Sequence, residues 1–148
     1  MKFDFFLRRY RLAIALGCSL FGGCVHEPIT EPTVVLSDKF SSIQKNIISK
    51  TCAVSGCHTG AQPKSVLSLD DSVSYRNLMK HGIENDVAKF LYTALIIPGK
   101  PDSSFLFKKI AGPPPTDQGE QMPQRLNPLT RAEITAIKSW ILRGAPND

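Results

Sequence analysis

Apolar residues recur through much of the chain at the three-to-four residue spacing of a helix face. In "LSDKFSSIQKNIISK", Phe40, Ile43, Ile47 and Ile48 predict an amphipathic helix, with Ser37 or Asp38 as its N-cap. "LSLDD" is followed by a short helix through Leu78, for which Asp70 or Asp71 is the candidate cap. In "NDVAKFLYTALII", Val87, Phe90, Leu91, Ala94 and Leu95 fit one helical face, although the β-branched and aromatic content also suits a strand. Pro98, Gly99 and Pro101 then break the chain. Asp102 or Ser103 is expected to cap a helix whose apolar face is Phe105, Leu106 and Ile110.

The segment "AGPPPTDQGEQMPQRLNP" carries no period and reads as a long loop, a feature that in compact domains is usually functional or disordered. After it, Leu129, Thr130 and Glu133 form a capping box, and Leu129 is placed to staple onto Ile134. Ile134, Ile137 and Ile141 run down one side of this helix beside Trp140, Gly144 suits C′, and Pro146 blocks continuation. With no internal repeat and no pair of alternating strands, the pattern predicts an all-α domain.

The first residues, "MKFDFFLRRYRLAIALGCSLFGGC", interrupt this pattern. A basic stretch precedes an apolar run, Leu12 to Gly23, that is too short to span a bilayer. The arrangement resembles a bacterial lipoprotein signal, with Cys24 as the residue that would be lipidated and Cys18 as a rival. An uncleaved anchor and an ordinary secretory signal are the alternatives. This predicts a signal peptide over 1–23, a Pro-containing flexible tether over 24–36 and a domain over 37–148. It also places the protein on the periplasmic face of a bacterial membrane, held there by lipid; inner and outer membrane are equally compatible.

Removing 1–23 takes four of the 18 basic and one of the 13 acidic side chains, leaving 14 against 12. Near-neutral charge, with no basic cluster interleaved with aromatics, gives no nucleic-acid signal. Only Cys52 and Cys57 would then remain unmodified, in a compartment that oxidises unprotected thiols.

Both lie in "CAVSGCH", where four residues separate the cysteines and His58 follows the second directly. Covalent haem attachment reads C-x-x-C-H, with two thiols for the vinyl groups and an imidazole that turns under the iron. The Cys57-His58 adjacency keeps that requirement, and Gly56 frees the backbone to bulge around the extra residues. A Cys52–Cys57 disulfide suits the compartment equally. A zinc site would have to recruit His81 or His26.

The order of segments from Phe40 to Asn147 resembles the cytochrome c domains of planctomycete-type and related exported bacterial proteins. A helix leads into Cys-Cys-His, followed by "LSLDD", "IIPGKPDSSFLFKKI", "QMPQ" and "LTRAEITAIKSWILRGAP". The family usually has two residues between its cysteines, so the wider spacing is a departure. The resemblance implies a cytochrome c-like small helical domain around one covalently bound haem c, attached at Cys52 and Cys57. Its iron would be held by His58 and Met122, with His81 as the rival distal ligand. It implies a monohaem electron carrier with redox proteins of the periplasm or membrane as partners, and not an enzyme.

Phe105, Ile110, Ile134 and Trp140 are expected in the core. Lys108 and Lys109 are expected on a solvated helix face, and Pro113 to Pro115 to stiffen the loop carrying Met122. The readings that remain beside this one are a non-haem lipoprotein interaction module stapled by the disulfide, and a haem peroxidase or sensor with an open distal site.

Overall fold

The computed structural model describes residues 36–148. The expected export signal, Cys18, Cys24, His26 and all of the tether except Leu36 lie outside the described residues. Among the described residues every regular element is helical and no strand forms, as the periodicity predicts. The α-helices are α1 (Phe40–Ile43), α2 (Ser74–Lys80), α3 (Ala88–Leu91), α4 (Phe105–Ala111) and α5 (Arg131–Leu142). Three single 3-10 turns cover Lys64–Val66, Pro101–Ser103 and Thr116–Gln118.

The first helix is not α-helical throughout. After one turn, α1 widens into a π-helix over Gln44–Cys52, and the Ala53 N–H closes it by bonding the Ile48 carbonyl at 2.8 Å. The buried positions explain the change of register. Ile43, Gln44, Ile47 and Ile48 are buried, and Cys52 packs against the same core. Spacings of four to five residues stay on one side of a helix wider than the α form. Such wide turns are rare and often mark functional sites.

Neither expected cap serves this helix. Lys39 occupies the N-cap position without a side-chain bond. The Phe40 N–H instead donates to Asp148 Oδ1 at 2.9 Å, and the Ser41 N–H to the Asp148 carbonyl at 2.8 Å. Asp38 is taken up by Arg143, whose Nε donates to it at 2.9 Å and whose Nη2 reaches Asp148 Oδ2 at 3.0 Å.

The closing helix follows its sequence. Thr130 Oγ1 accepts from the Glu133 N–H while the Glu133 carboxylate accepts from the Thr130 N–H at 2.7 Å, completing the capping box. Gly144 takes φ of 95°, the left-handed conformation that favours glycine at C′. Trp140 is fully buried at the centre of the core, its ring 5.3 Å from Phe40 and its Nε1–H bonded to the Pro146 carbonyl at 2.8 Å. Helix α5 packs against α1, α4 and the Pro101–Ser103 turn, so this core joins both ends of the domain.

Three local expectations fail for identifiable reasons. Asp70 and Asp71 do not cap α2, because both carboxylates are engaged elsewhere; only the Asp70 carbonyl receives its first N–H groups. The long face expected from Val87 to Leu95 shrinks to the single turn α3. Ala88, Leu95 and Ile96 are buried, whereas Phe90 and Leu91 are exposed. At α4, Asp102 and Ser103 sit in the preceding 3-10 turn, and Ser104 takes the cap position. The Ser104 hydroxyl is buried, accepting from the Ile97 N–H at 2.8 Å and donating to the Lys100 carbonyl at 2.9 Å. Packing decides all three, and packing is not local.

Candidate functional site

The π-helix delivers Cys52 to the start of a closed loop. The Cys57 N–H bonds the Val54 carbonyl at 2.9 Å, and the His58 N–H returns to the Cys52 carbonyl at 3.1 Å. Gly56 makes this return with φ of 77°, the backbone freedom that the longer Cys–Cys spacing was expected to need. Both thiols are free and partly buried. Burial pushes the Cys52 thiol up, while the Thr51 hydroxyl, 3.4 Å from its sulfur, acts the other way.

The segment after His58 folds back over it. His58 Nδ1 lies 3.1 Å from the Leu67 carbonyl. A carbonyl can only accept, so Nδ1 is the donor in this contact, and Nε2 is the ring nitrogen left free of a protein partner. Metal-binding imidazoles are commonly oriented in this way. The fold-back is held by Leu69 N–H to the His58 carbonyl at 2.7 Å and by Lys64 N–H to the Cys57 carbonyl at 2.8 Å. Asp70 secures its outer side through the hydroxyls of Thr59 and Ser68, which hold its carboxyl below the usual carboxylate range.

Gln44 ties this arrangement to the π-helix. Its buried amide nitrogen donates to the Leu69 carbonyl at 3.1 Å and to Asp71 at 2.7 Å. Its oxygen accepts from the fully buried Ser74 hydroxyl at 2.6 Å. The "LSLDD" segment is therefore fastened to the helix that carries Cys52.

Met122 approaches from the long loop. Its N–H donates to the Lys109 carbonyl on α4 at 2.7 Å. The Asn85 amide holds the Asp117 carbonyl at 3.2 Å, and Lys109 Nζ holds the Gln118 carbonyl at 3.1 Å. The loop is thus pinned just ahead of Met122, and the Thr130 cap anchors it beyond. Lys108 and Lys109 were expected on a solvated face, but Lys109 is buried and Lys108 only partly exposed. Lys109 lies one turn beyond Phe105 on the same side of α4, so it turns inward with that ring, 5.8 Å from its centroid. Burial pulls its ammonium below the ordinary value, with Glu120 opposing the shift.

Cys52, Cys57, His58 and Met122 line one cavity of about 280 Å³, together with Leu67, Leu69, Leu106 and Ile110. A second cavity of about 350 Å³ adjoins it, sharing His58, Ser65, Leu67, Leu106 and Met122. Together they fall within the range of about 300–1,000 Å³ common for cofactor sites. His81 borders the second cavity and not the first, with Nδ1 2.8 Å from the Gly82 carbonyl.

The four residues read from the sequence thus meet at one place. Two thiols, an imidazole with an available nitrogen and a thioether on an apolar wall fit a covalently held haem. Among the described residues no group of three or more His, Cys, Asp or Glu side chains is positioned to hold a metal ion, so a zinc cluster finds no counterpart there.

The Leu67 carbonyl that orients His58 left no trace in the sequence, since any residue supplies one. Lys109 did leave a trace, because its spacing from Phe105 places it on the buried face.

No protein-family profile and no solved structure matches the chain. It is similar to the pH-response regulator protein palF/RIM8 of Debaryomyces hansenii, with 27% identity over 96 residues. The match covers 65% of this chain and 12% of that regulator, a small part of a much longer protein, and assigns no family.

Proposed function

We propose that the protein is a monohaem c-type cytochrome that transfers one electron at a time. The observation that carries this reading is the convergence of Cys52, Cys57, His58 and Met122 on a single apolar-walled cavity. Haem, when bound, supplies the iron that cycles between Fe(II) and Fe(III).

The chain's own part is to hold and tune it. Cys52 and Cys57 are the attachment thiols. His58 presents Nε2 because Leu67 occupies Nδ1. Met122 would supply the second protein ligand to the iron, on a loop tied down by Lys109 and Asn85, so its thioether need not be ordered at the moment of ligation. A His/Met pair favours a relatively high potential. Leu67, Leu69, Leu106 and Ile110 exclude water and lower the local dielectric. Acylation at Cys24 would hold the carrier at a bacterial membrane within reach of its redox partners. Among the described residues no helix is long and apolar enough to cross a membrane.

The test is co-expression with a cytochrome c maturation system. The product is expected to be red, with haem that survives denaturing electrophoresis. Its oxidised form should show the weak sulfur-to-iron charge-transfer band at the red edge of the visible spectrum. Met122→Ala should remove that band and lower the potential, while His81→Ala should leave both. A colourless protein made by competent machinery overturns the cytochrome reading, and the reverse mutational pattern replaces Met122 with His81.

A further inference from the structure

The two adjoining cavities differ in chemistry. The first holds both cysteines and is lined by aliphatic side chains together with Thr51, Lys64 and Arg125, the last two exposed. The second holds no cysteine but contains Lys109, Gln118 and Asn85. Lys109 is 9% exposed and Gln118 6% exposed, so both are built into the wall rather than lying at the rim.

Neither residue is fully satisfied. Lys109 uses one bond of a three-donor ammonium, to the Gln118 carbonyl, and has no salt-bridge partner among the described residues. Gln118 Oε1 is buried with no hydrogen-bond partner. Glu120 acts on this ammonium through space but forms no ion pair with it. A buried cation without a paired counter-ion is costly, and such a site favours an anion that would complete it.

Haem has matching asymmetry. One edge bears the vinyl groups that thiols capture, and the edge across the ring bears two carboxylates. With the first edge held at Cys52 and Cys57, the other edge would lie toward the second cavity, which shares His58 and Met122 among its lining residues.

We propose that the second cavity is the haem carboxylate site and that Lys109 is the counter-ion of a haem carboxylate there, with Gln118 completing the site through its side-chain amide. Turned over, that amide presents an N–H where the orphaned oxygen now lies. The other charged or titratable groups on this cavity are His58, His81, Glu84 and Glu120. Both glutamates are exposed and solvated, whereas Lys109 is buried. A carboxylate that enters the cavity therefore interacts most strongly with the lysine.

This inference rests on the cytochrome reading, and its test separates the two. The midpoint potential of the haem-loaded protein is measured against pH for wild type, Lys109→Met, Lys109→Arg and Gln118→Glu. A haem carboxylate that titrates imposes an inflection on this profile. Losing the cation raises the carboxylate's pKa, so Lys109→Met should move the inflection to higher pH and shift the Fe(III)/Fe(II) balance toward Fe(III). A tenfold shift in that balance is 59 mV for one electron. Lys109→Arg should leave the inflection in place. Gln118→Glu supplies Lys109 with a competing carboxylate and should raise the inflection even if Lys109→Met does not fold. Absence of haem from wild type overturns the cytochrome reading itself. Haem-loaded Gln118→Glu and every folded Lys109 variant with superimposable profiles overturn the carboxylate site and leave the cytochrome standing.

Discussion

Gln44→Leu removes the amide that joins the π-helix to the segment around Leu69 and Ser74 while nearly conserving volume. Two buried groups then lose their partners: the Ser74 hydroxyl, which is fully buried, and the Leu69 carbonyl. Each orphaned group costs ~1–3 kcal/mol. Burying leucine returns ~1.5–3 kcal/mol of apolar transfer. The net expectation is a loss of ~1–3 kcal/mol, since Asp71 is exposed, retains Ser49 as a partner and adds little. Ser74→Ala alone orphans the Gln44 oxygen and should cost ~1–3 kcal/mol. Combined, the two substitutions remove the hydroxyl and the amide together. The double variant should therefore be more stable than the sum of the single losses, by ~1–2 kcal/mol. Urea unfolding followed through Trp140, the chain's one tryptophan, measures all four proteins. Additivity within ~0.5 kcal/mol would refute a shared buried network.

The fold-back over His58 should be sensitive to acid. The hydroxyls of Thr59 and Ser68 depress the Asp70 pKa below its ordinary 3.8. A depressed folded-state value means that its contribution is present above the unfolded value and is lost as pH falls through the folded one. Asp70→Asn should accordingly flatten the acid limb of a stability–pH curve measured below about pH 4, and an unchanged limb would remove Asp70 from this role. Thr130→Ala should cost ~1 kcal/mol through loss of the helix cap, seen as a lower urea midpoint at constant slope. Glu133→Gln should retain most of that stability, because glutamine also closes a capping box.

What could be read from the sequence was chemistry confined to a few consecutive residues. Thr130, Glu133 and Gly144 announce the last helix because its caps lie beside it. Cys52, Cys57 and His58 stand together, and the resemblance to exported cytochrome c domains singled out Met122 in its Pro-flanked loop. The features that were missed depend on residues distant along the chain. Phe90 and Leu91 match a helical period, yet Leu95 and Ile96 bury themselves in their place, and nothing local separates these outcomes. The π register depends on which side of the helix meets the core. Gln44 and Ser74 look like surface residues because their buried partners, Leu69 and each other, lie far away along the chain.

The first helix receives its cap from Asp148, 108 positions later in the chain. That separation imposes an order on assembly. A chain made from its N-terminus presents "CAVSGCH" well before the residue that fixes the start of the preceding helix exists. At ~5–20 residues per second, the interval is several seconds. During it, the helix leading to Cys52 lacks the Asp148 bonds at Phe40 and Ser41, and the Asp38–Arg143 pair cannot form. Late closure leaves this end of the helix unfastened while the Cys52–His58 loop is already formed of its own residues. Asp148 then fixes the start of the helix that carries Cys52.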